Sequence, residues 1–172
     1  MYAAPARNWL QVESVGLLTV ALLFPEFKLS PLFYHVGMSR LLLENARSFL
    51  PDGFQAECST HYHCFPTRHI TTLLELTRCV GLTPPERLLS VCEHAHEAAM
   101  HMAYPDGTLP HLNDCSPRPV SVRPLLAGAA VLFNRPDFTW VATAGREGSP
   151  PVELSHDFSH AGYCVMRSGW YD

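Results

Sequence analysis

A helical hydrophobic period, cut repeatedly by proline and glycine, is the feature that most constrains this chain. Residues 8–24 place Leu10, Val12, Val15, Leu17, Leu18, Ala21 and Leu22 on a broad apolar face, the pattern of a well-buried helix, and Pro25 stops it. A second helix is predicted over 31–49, with Pro31 in its first turn and Ser30 as its cap. Pro51-Asp52-Gly53 then makes a turn. A third helix is predicted over 60–80, closed by Gly81. Pro66 lies inside it, removes the hydrogen bond to the Tyr62 carbonyl, and is expected to kink the first turns. A fourth helix runs over 84–103 and a fifth over 120–134, with a long loop rich in Pro, Gly, Asp and Asn between them at 104–119. Helices paired through short connections suit a helical toroid or solenoid, although no sequence repeat accompanies them.

After Arg135 the character changes. Residues 145–151 form a polar Gly/Ser/Pro linker, and GYCVMRSGW (162–170) contains a short alternating strand, with Tyr163 and Val165 opposite Cys164 and Met166. That strand has no evident partner in the sequence. A single strand is not stable alone, so it is expected to join a sheet elsewhere or to open a β-domain. The expected organisation is a helical unit over 1–144 and a linker with the first strand of a β-domain over 145–172.

Composition narrows the function classes. The 172 residues are 47% hydrophobic and 16% charged, which is globular and long enough for a real core. Twelve basic against sixteen acidic residues leave no global positive field, so nucleic acid is not an expected partner. A polyanionic ligand would need a local basic patch. The apolar run at 15–24 is too short to span a bilayer and lacks the basic flank and cleavage site of a signal peptide. Cys58, Cys64, Cys79, Cys92, Cys115 and Cys164 include no CxxC pair and read as apolar fillers or free thiols; an oxidising compartment would still permit disulfides.

Ten histidines are many for this length and point to a site. The densest stretch is 52–69, DGFQAECSTHYHCFPTRH. Tyr62, Pro66, His69 and Leu73 share one helix face there, with His63 about 100° away. A tyrosine near cations is a candidate proton donor or acceptor; the plainer reading is a polar first turn with one buried tyrosine. On the fourth helix, EHAHEAAMH sets Glu97 between His94 and His101, but the spacing is not HExxH, and a solvated polar face is expected for these residues and for His96. His111 and Asp114 sit in the long loop and are candidates to line a cleft. His156, Asp157 and His160 precede the strand and remain ambiguous. Arg167 either faces a substrate carboxylate or pairs with an acid. Arg68 and Arg123 are the helix-borne candidates for an anionic sugar.

Four segments, in order, resemble heparinase II/III-like polysaccharide lyases. Glu57-Cys58-Ser59-Thr60-His61-Tyr62-His63 resembles the family's E-x-S-x-x-Y-H signature. NWLQVESVGLLTVALLFPEFK (8–28) resembles a family helix that opens with Asn and ends in FPEFK; PDGTLPHLNDCS (105–116) resembles the family loop with a PDG turn and a late Asp; GYCVMRSGW resembles the first strands of the family's β-sandwich. Any one match would be weak, but four in order are specific.

The resemblance implies a mainly α chain, part of an incomplete α/α toroid, followed by the beginning of an antiparallel β-sandwich, with the active site in the cleft between. It implies β-elimination: abstraction of the C5 proton of a uronate and expulsion of the 4-linked sugar. By position, Asn8 would neutralise the uronate carboxylate, Tyr62 would be the catalytic acid and on one face the base, and His63 would support Tyr62 or bind substrate. Glu57, Arg68, His69, His111, Asp114 and Arg167 are the expected substrate-binding residues. No cofactor or metal is expected in this chain; some members hold a divalent metal in the sandwich, where the family's catalytic histidine also lies, beyond residue 172. The partner implied is an acidic polysaccharide, heparan-sulfate-like first and alginate second, because Trp9 follows Asn8 where some alginate-cleaving relatives have His. The family is periplasmic or secreted. An unpaired strand and an open helical edge would also invite homo-oligomers. Two other readings stay open: a non-catalytic carbohydrate-binding remnant, and a histidine-rich metal-binding helical protein.

Overall fold

The computed structural model describes residues 8–170. Six helices and one hairpin make up its regular structure: α1 (Asn8–Leu23), α2 (Ser30–Ser48), α3 (Thr60–Cys79), α4 (Glu86–Met102), α5 (Arg123–Phe133), α6 (Pro136–Ala142), β1 (Ser155–Phe158) and β2 (Tyr163–Met166). No helix among the described residues is long and apolar enough to cross a membrane.

The helix ends show the local physics. Ser59 is the N-cap of α3, its hydroxyl accepting from the Tyr62 backbone N–H. At the other end Gly81 donates to the Arg78 carbonyl and Leu82 to the Thr77 carbonyl, so α3 closes where the sequence placed it, in a Schellman arrangement. The helix continues through Pro66. Its threonine hydroxyls turn back onto its own carbonyls, Thr67 onto His63 at 2.6 Å and Thr71 onto Thr67 at 2.8 Å. Ser30 does not cap α2 as expected. It is the first residue of that helix, and its hydroxyl instead ties to the Phe24 carbonyl across the α1–α2 turn. The fifth helix starts three residues later than predicted. Residues 120–122 are drawn into extended pairing with the loop before them, Leu109 donating to Val120 and Val122 to Gly107.

α1 packs along α2, and Gly37 sets their approach. A Cβ there would lie 2.9 Å from Leu18 Cγ and 3.0 Å from the Ser14 carbonyl. Val15, Leu18 and Leu22 of α1 share one apolar cluster with Leu41 of α2, Ile70, Leu73 and Leu74 of α3, and Leu88 and Cys92 of α4. A second cluster joins Phe54, Ala98, Ala99 and Met100 to Leu126, Ala129, Phe138 and Val141, and reaches Phe158 and Trp170 in the C-terminal segment.

Two elements escaped the sequence reading. The strand at 163–166 has a partner within the chain: β1 pairs with it antiparallel, Ser155 opposite Met166 and Phe158 opposite Tyr163. SHDF carries little β-propensity, and only the burial of Phe158 marks it. The other element is α6, whose seven residues are too few to show a period.

The EHAHEAAMH stretch of α4 is not the solvated face expected of it. His94 is exposed, but His96 is fully buried and His101 is 4% exposed. Glu97 does not bridge histidines. With Glu93 and Asp137 it surrounds the Arg135 guanidinium, at 3.1, 2.9 and 2.6 Å respectively. Burial opposes ionisation of Asp137, but its bonds to Arg135 hold its carboxyl below the usual range. Arg135→Ala would leave three like charges together in a half-buried site. A loss of about 2 kcal/mol is expected, between the surface and buried limits for ion pairs, readable by urea denaturation.

Candidate functional site at the start of the third helix

Every segment singled out by motif meets at the N-terminal end of α3. Tyr62 stands in the first turn, half-buried, its backbone N–H held by Ser59. No hydrogen bond to its hydroxyl is found among the described residues. Asn8, at the start of α1, donates through Nδ2 to Glu57 Oε1 at 3.4 Å, closing 49 residues of separation. Gln55 makes the same carboxylate fast, donating at 3.3 Å through Nε2, while its Oε1 accepts from the Glu57 backbone N–H at 2.7 Å. Asn8 Oδ1 is buried and has no partner among the described residues. Glu57 therefore aims the Asn8 amide.

His63 lies beneath this arrangement. It is fully buried, stacked on Phe54 at 4.7 Å, with both ring nitrogens engaged. Nε2 donates to the Ala95 carbonyl at 2.8 Å, and Nδ1 accepts from the Gln55 backbone N–H at 3.2 Å. That pattern fixes the neutral Nε2–H tautomer. Burial pushes its pKa down to about 4, although the Ala95 carbonyl pulls the other way. The direct substrate contact allowed for His63 is thus closed by its burial. What the ring does is hold Gln55, which holds Glu57, which holds Asn8.

The long α4–α5 loop and the hairpin complete the surroundings. Ser59 and Thr60 donate to the carbonyls of Asp114 and Pro110, at 2.7 and 2.5 Å. The side chains of His111 and Asp114 point outward, both exposed. Asn113 Nδ2 and the Tyr163 hydroxyl both donate to the Cys58 carbonyl, at 2.8 and 2.9 Å. Asp52 accepts from the backbone N–H groups of His160 and Ala161, each at 2.9 Å. The glycine of that turn is required by space, since a Cβ on Gly53 would lie 2.5 Å from the His94 carbonyl oxygen. The hairpin is thereby anchored on the α2–α3 loop.

The remaining candidates scatter. Arg68 is exposed and lines a cavity of about 360 Å³ with His61, Cys64, Phe65 and Pro124. His69 donates through Nδ1 to the Phe65 carbonyl at 2.8 Å. Arg123 lies against Gly107 instead, its Nε buried without a partner among the described residues. Arg167 lies over the Trp170 ring at 3.7 Å and donates to the His101 carbonyl. All six cysteines are free thiols. Gln55, Asn113 and Tyr163 were missed by sequence reasoning. Their roles come from tertiary contact, and only the nearness of Gln55 to the E-x-S-x-x-Y-H stretch could have signalled one of them.

This convergence matches known proteins. The family model for the heparinase II/III N-terminus covers residues 1–140. The chain belongs to this family. The heparin-sulfate lyase of Pedobacter heparinus is 28% identical over 151 residues, which is 86% of this chain and 23% of that protein. The heparin-sulfate lyase of Bacteroides thetaiotaomicron is 26% identical over 179 residues, 95% of this chain and 26% of that one. Among solved structures, heparan sulfate lyase HepC from Pedobacter heparinus superposes with a TM-score of 0.85 at 28% identity, over 98% of this chain and 27% of its own. A heparinase III structure gives 0.86 at 25% identity, over 99% and 27%. The chain spans about a quarter of the length of these relatives. Its helices are a portion of the heparinase α/α toroid, and the hairpin belongs to the antiparallel β-structure that follows it, as the sequence implied.

Proposed function

We propose that this chain supplies the helical wall of the active cleft of a polysaccharide lyase that cleaves uronate linkages by β-elimination. Heparan-sulfate-like chains are the first substrate class and alginate the second. The observation that carries the reading is the Asn8–Glu57 contact just ahead of the α3 N-cap, in the same segment as Tyr62 of the first turn. Removing the C5 proton leaves negative charge on the uronate carboxylate. A preorganised amide aimed at that charge stabilises the transition state more than the ground state. The Asn8 Nδ2 group donates one hydrogen to Glu57 and keeps a second for substrate. The α3 N-terminus adds its partial positive charge on the same side. On one substrate face Tyr62 takes the C5 proton and passes it to the departing 4-oxygen; on the other it donates its own proton to that oxygen while the family's sandwich histidine would take the C5 proton. His63 acts as a positioning residue through Gln55 and Glu57. Arg68, His69, His111 and Asp114 are assigned to the sugars on either side of the cleaved bond. We place the boundary between the toroid portion and the sandwich portion at residues 144 and 145.

The test is the ultraviolet absorbance of newly formed unsaturated uronate. Heparan sulfate, hyaluronan and alginate would each be offered to the chain, and to the chain joined to the C-terminal remainder of the Pedobacter heparinus lyase. Absorbance growth on heparan sulfate from the joined protein is expected. Asn8→Ala should lower kcat about 10²- to 10³-fold, the usual cost of one donor to a developing oxyanion. A folded joined protein that binds heparan sulfate but forms no unsaturated product would instead establish a carbohydrate-binding remnant.

A further inference from the structure

We propose that His101, Glu153 and His156 form a binding site for one transition-metal dication, zinc by chemical preference, that clamps the β-hairpin to the end of α4. One ligand atom from each residue lies within 4.8 Å of the others. The two imidazoles stack with centroids 4.2 Å apart and planes 13° from parallel, and His156 Nδ1 sits 3.2 Å from a Glu153 carboxylate oxygen.

His101 carries the second part of the argument. The residue is 4% exposed, and its ring is held between His156, at 4.2 Å, and Trp170, at 5.9 Å. Its backbone carbonyl accepts from Arg167. Here the cluster around the ring offers other ligand atoms.

Two histidines and one carboxylate leave a fourth position open on a tetrahedral ion, a set that suits zinc. Imidazole nitrogen favours zinc, cobalt or nickel over calcium or magnesium. Metal–ligand bonds of about 2.0–2.2 Å set ligand atoms roughly 3.4 Å apart. The cluster must therefore close by up to about 1.4 Å, which half-buried His156 and exposed Glu153 can do by side-chain rotation. The Arg167 guanidinium opposes a cation here, while the Glu153 and Asp137 carboxylates favour one. The metal-binding reading of the sequence centred on His94, Glu97 and His101. Only His101 survives into this site, because Glu97 is held by Arg135 and His94 is exposed. The assignment is independent of the lyase reading.

The experiment is zinc titration of the metal-stripped chain against a chromophoric chelator, with thermal unfolding alongside. One equivalent of zinc is expected. At zinc about 100-fold above Kd, Tm should rise by about 5–10 °C. His156→Ala should weaken zinc binding by well over tenfold. Glu153→Gln, at an exposed position that leaves the fold intact, should also weaken it at least about tenfold. His94→Ala should leave the affinity unchanged. Zinc binding that ignores both His156→Ala and Glu153→Gln, or no binding at about 100 µM zinc by a chain shown to be folded, would overturn the proposal.

Discussion

Tyr62→Phe should remove between about 10² and 10⁴ of the β-elimination rate while leaving the fold untouched. The prediction rests on how little the phenol oxygen does for structure. The described residues give it no hydrogen bond, the ring is only half-buried, and Ser59 holds the backbone of that turn whatever side chain follows. Losing the hydroxyl therefore strands no buried donor or acceptor, and a change of less than about 0.5 kcal/mol in stability is expected, as for other surface substitutions. The ring that packs edge-on against His61 at 5.9 Å is kept. A drop in kcat with KM within about twofold would show that the proton relay was lost and sugar binding was not. The assay is the unsaturated-uronate absorbance, on the chain joined to the C-terminal remainder of the Pedobacter heparinus lyase. If Tyr62→Phe keeps more than about a tenth of the rate, Tyr62 is not the acid, and the helical wall serves binding alone.

The helical frame was legible because it depends on short-range rules. Val15, Leu18 and Leu22 recur at helical spacing along α1, and each lies in the core. Ser59 and Gly81 bracket α3 in the order that cap chemistry demands. The site was half legible. The motif brought Asn8, Glu57, Tyr62 and His63 to notice, but spacing alone could not tell a ring in the cleft from a ring beneath it. His63 lies one residue from Tyr62 on α3 and so faces another way, toward Phe54 and the Ala95 carbonyl. The same logic explains α4. A run of histidines and glutamates looks solvated until another element covers it, and the cover comes from far along the chain: Arg135 over Glu93 and Glu97, Phe138 beside His96, His156 over His101. Charge pairs and ring stacks between residues 38 to 55 apart leave no trace in local periodicity. β1 was invisible for a related reason, since its register is set by β2 and by Phe158 entering the core.

Acid should unfold this chain well before its carboxylates titrate. His63 and His96 are both buried and neutral, and burial takes each down to about 4 from an ordinary value near 6.5, against the pull of the Ala95 and Cys92 carbonyls. A depressed histidine pKa means that the unfolded chain binds more protons between these two values. Stability is then highest above about pH 6.5, falls as the pH drops through that value, and stops falling below about pH 4. By linkage each histidine costs about 2 kcal/mol at pH 5 and about 3 kcal/mol at pH 4. The pair thus removes about 4 kcal/mol by pH 5, a large part of a usual 5–15 kcal/mol. Asp137 works the other way, with its stabilisation present at neutral pH and lost only below the carboxylate range, so the two windows separate. Urea titrations at pH 7, 6 and 5 should show the unfolding free energy dropping near pH 5 with a slope of at least about two protons, about 2.7 kcal/mol per pH unit, to which His101, lowered in the same way by its burial, adds. A slope below about 1 kcal/mol per unit would mean that neither ring is kept neutral by burial. The two histidines differ in consequence. His96 sits in the core between α3, α4 and α6, whereas His63 uses its unprotonated Nδ1 to hold the Gln55 backbone. A proton on that nitrogen removes the acceptor, and with it the support for Gln55, Glu57 and Asn8. Activity should therefore fall on the acid side along with the fold, and it should fall first where Asn8 is placed.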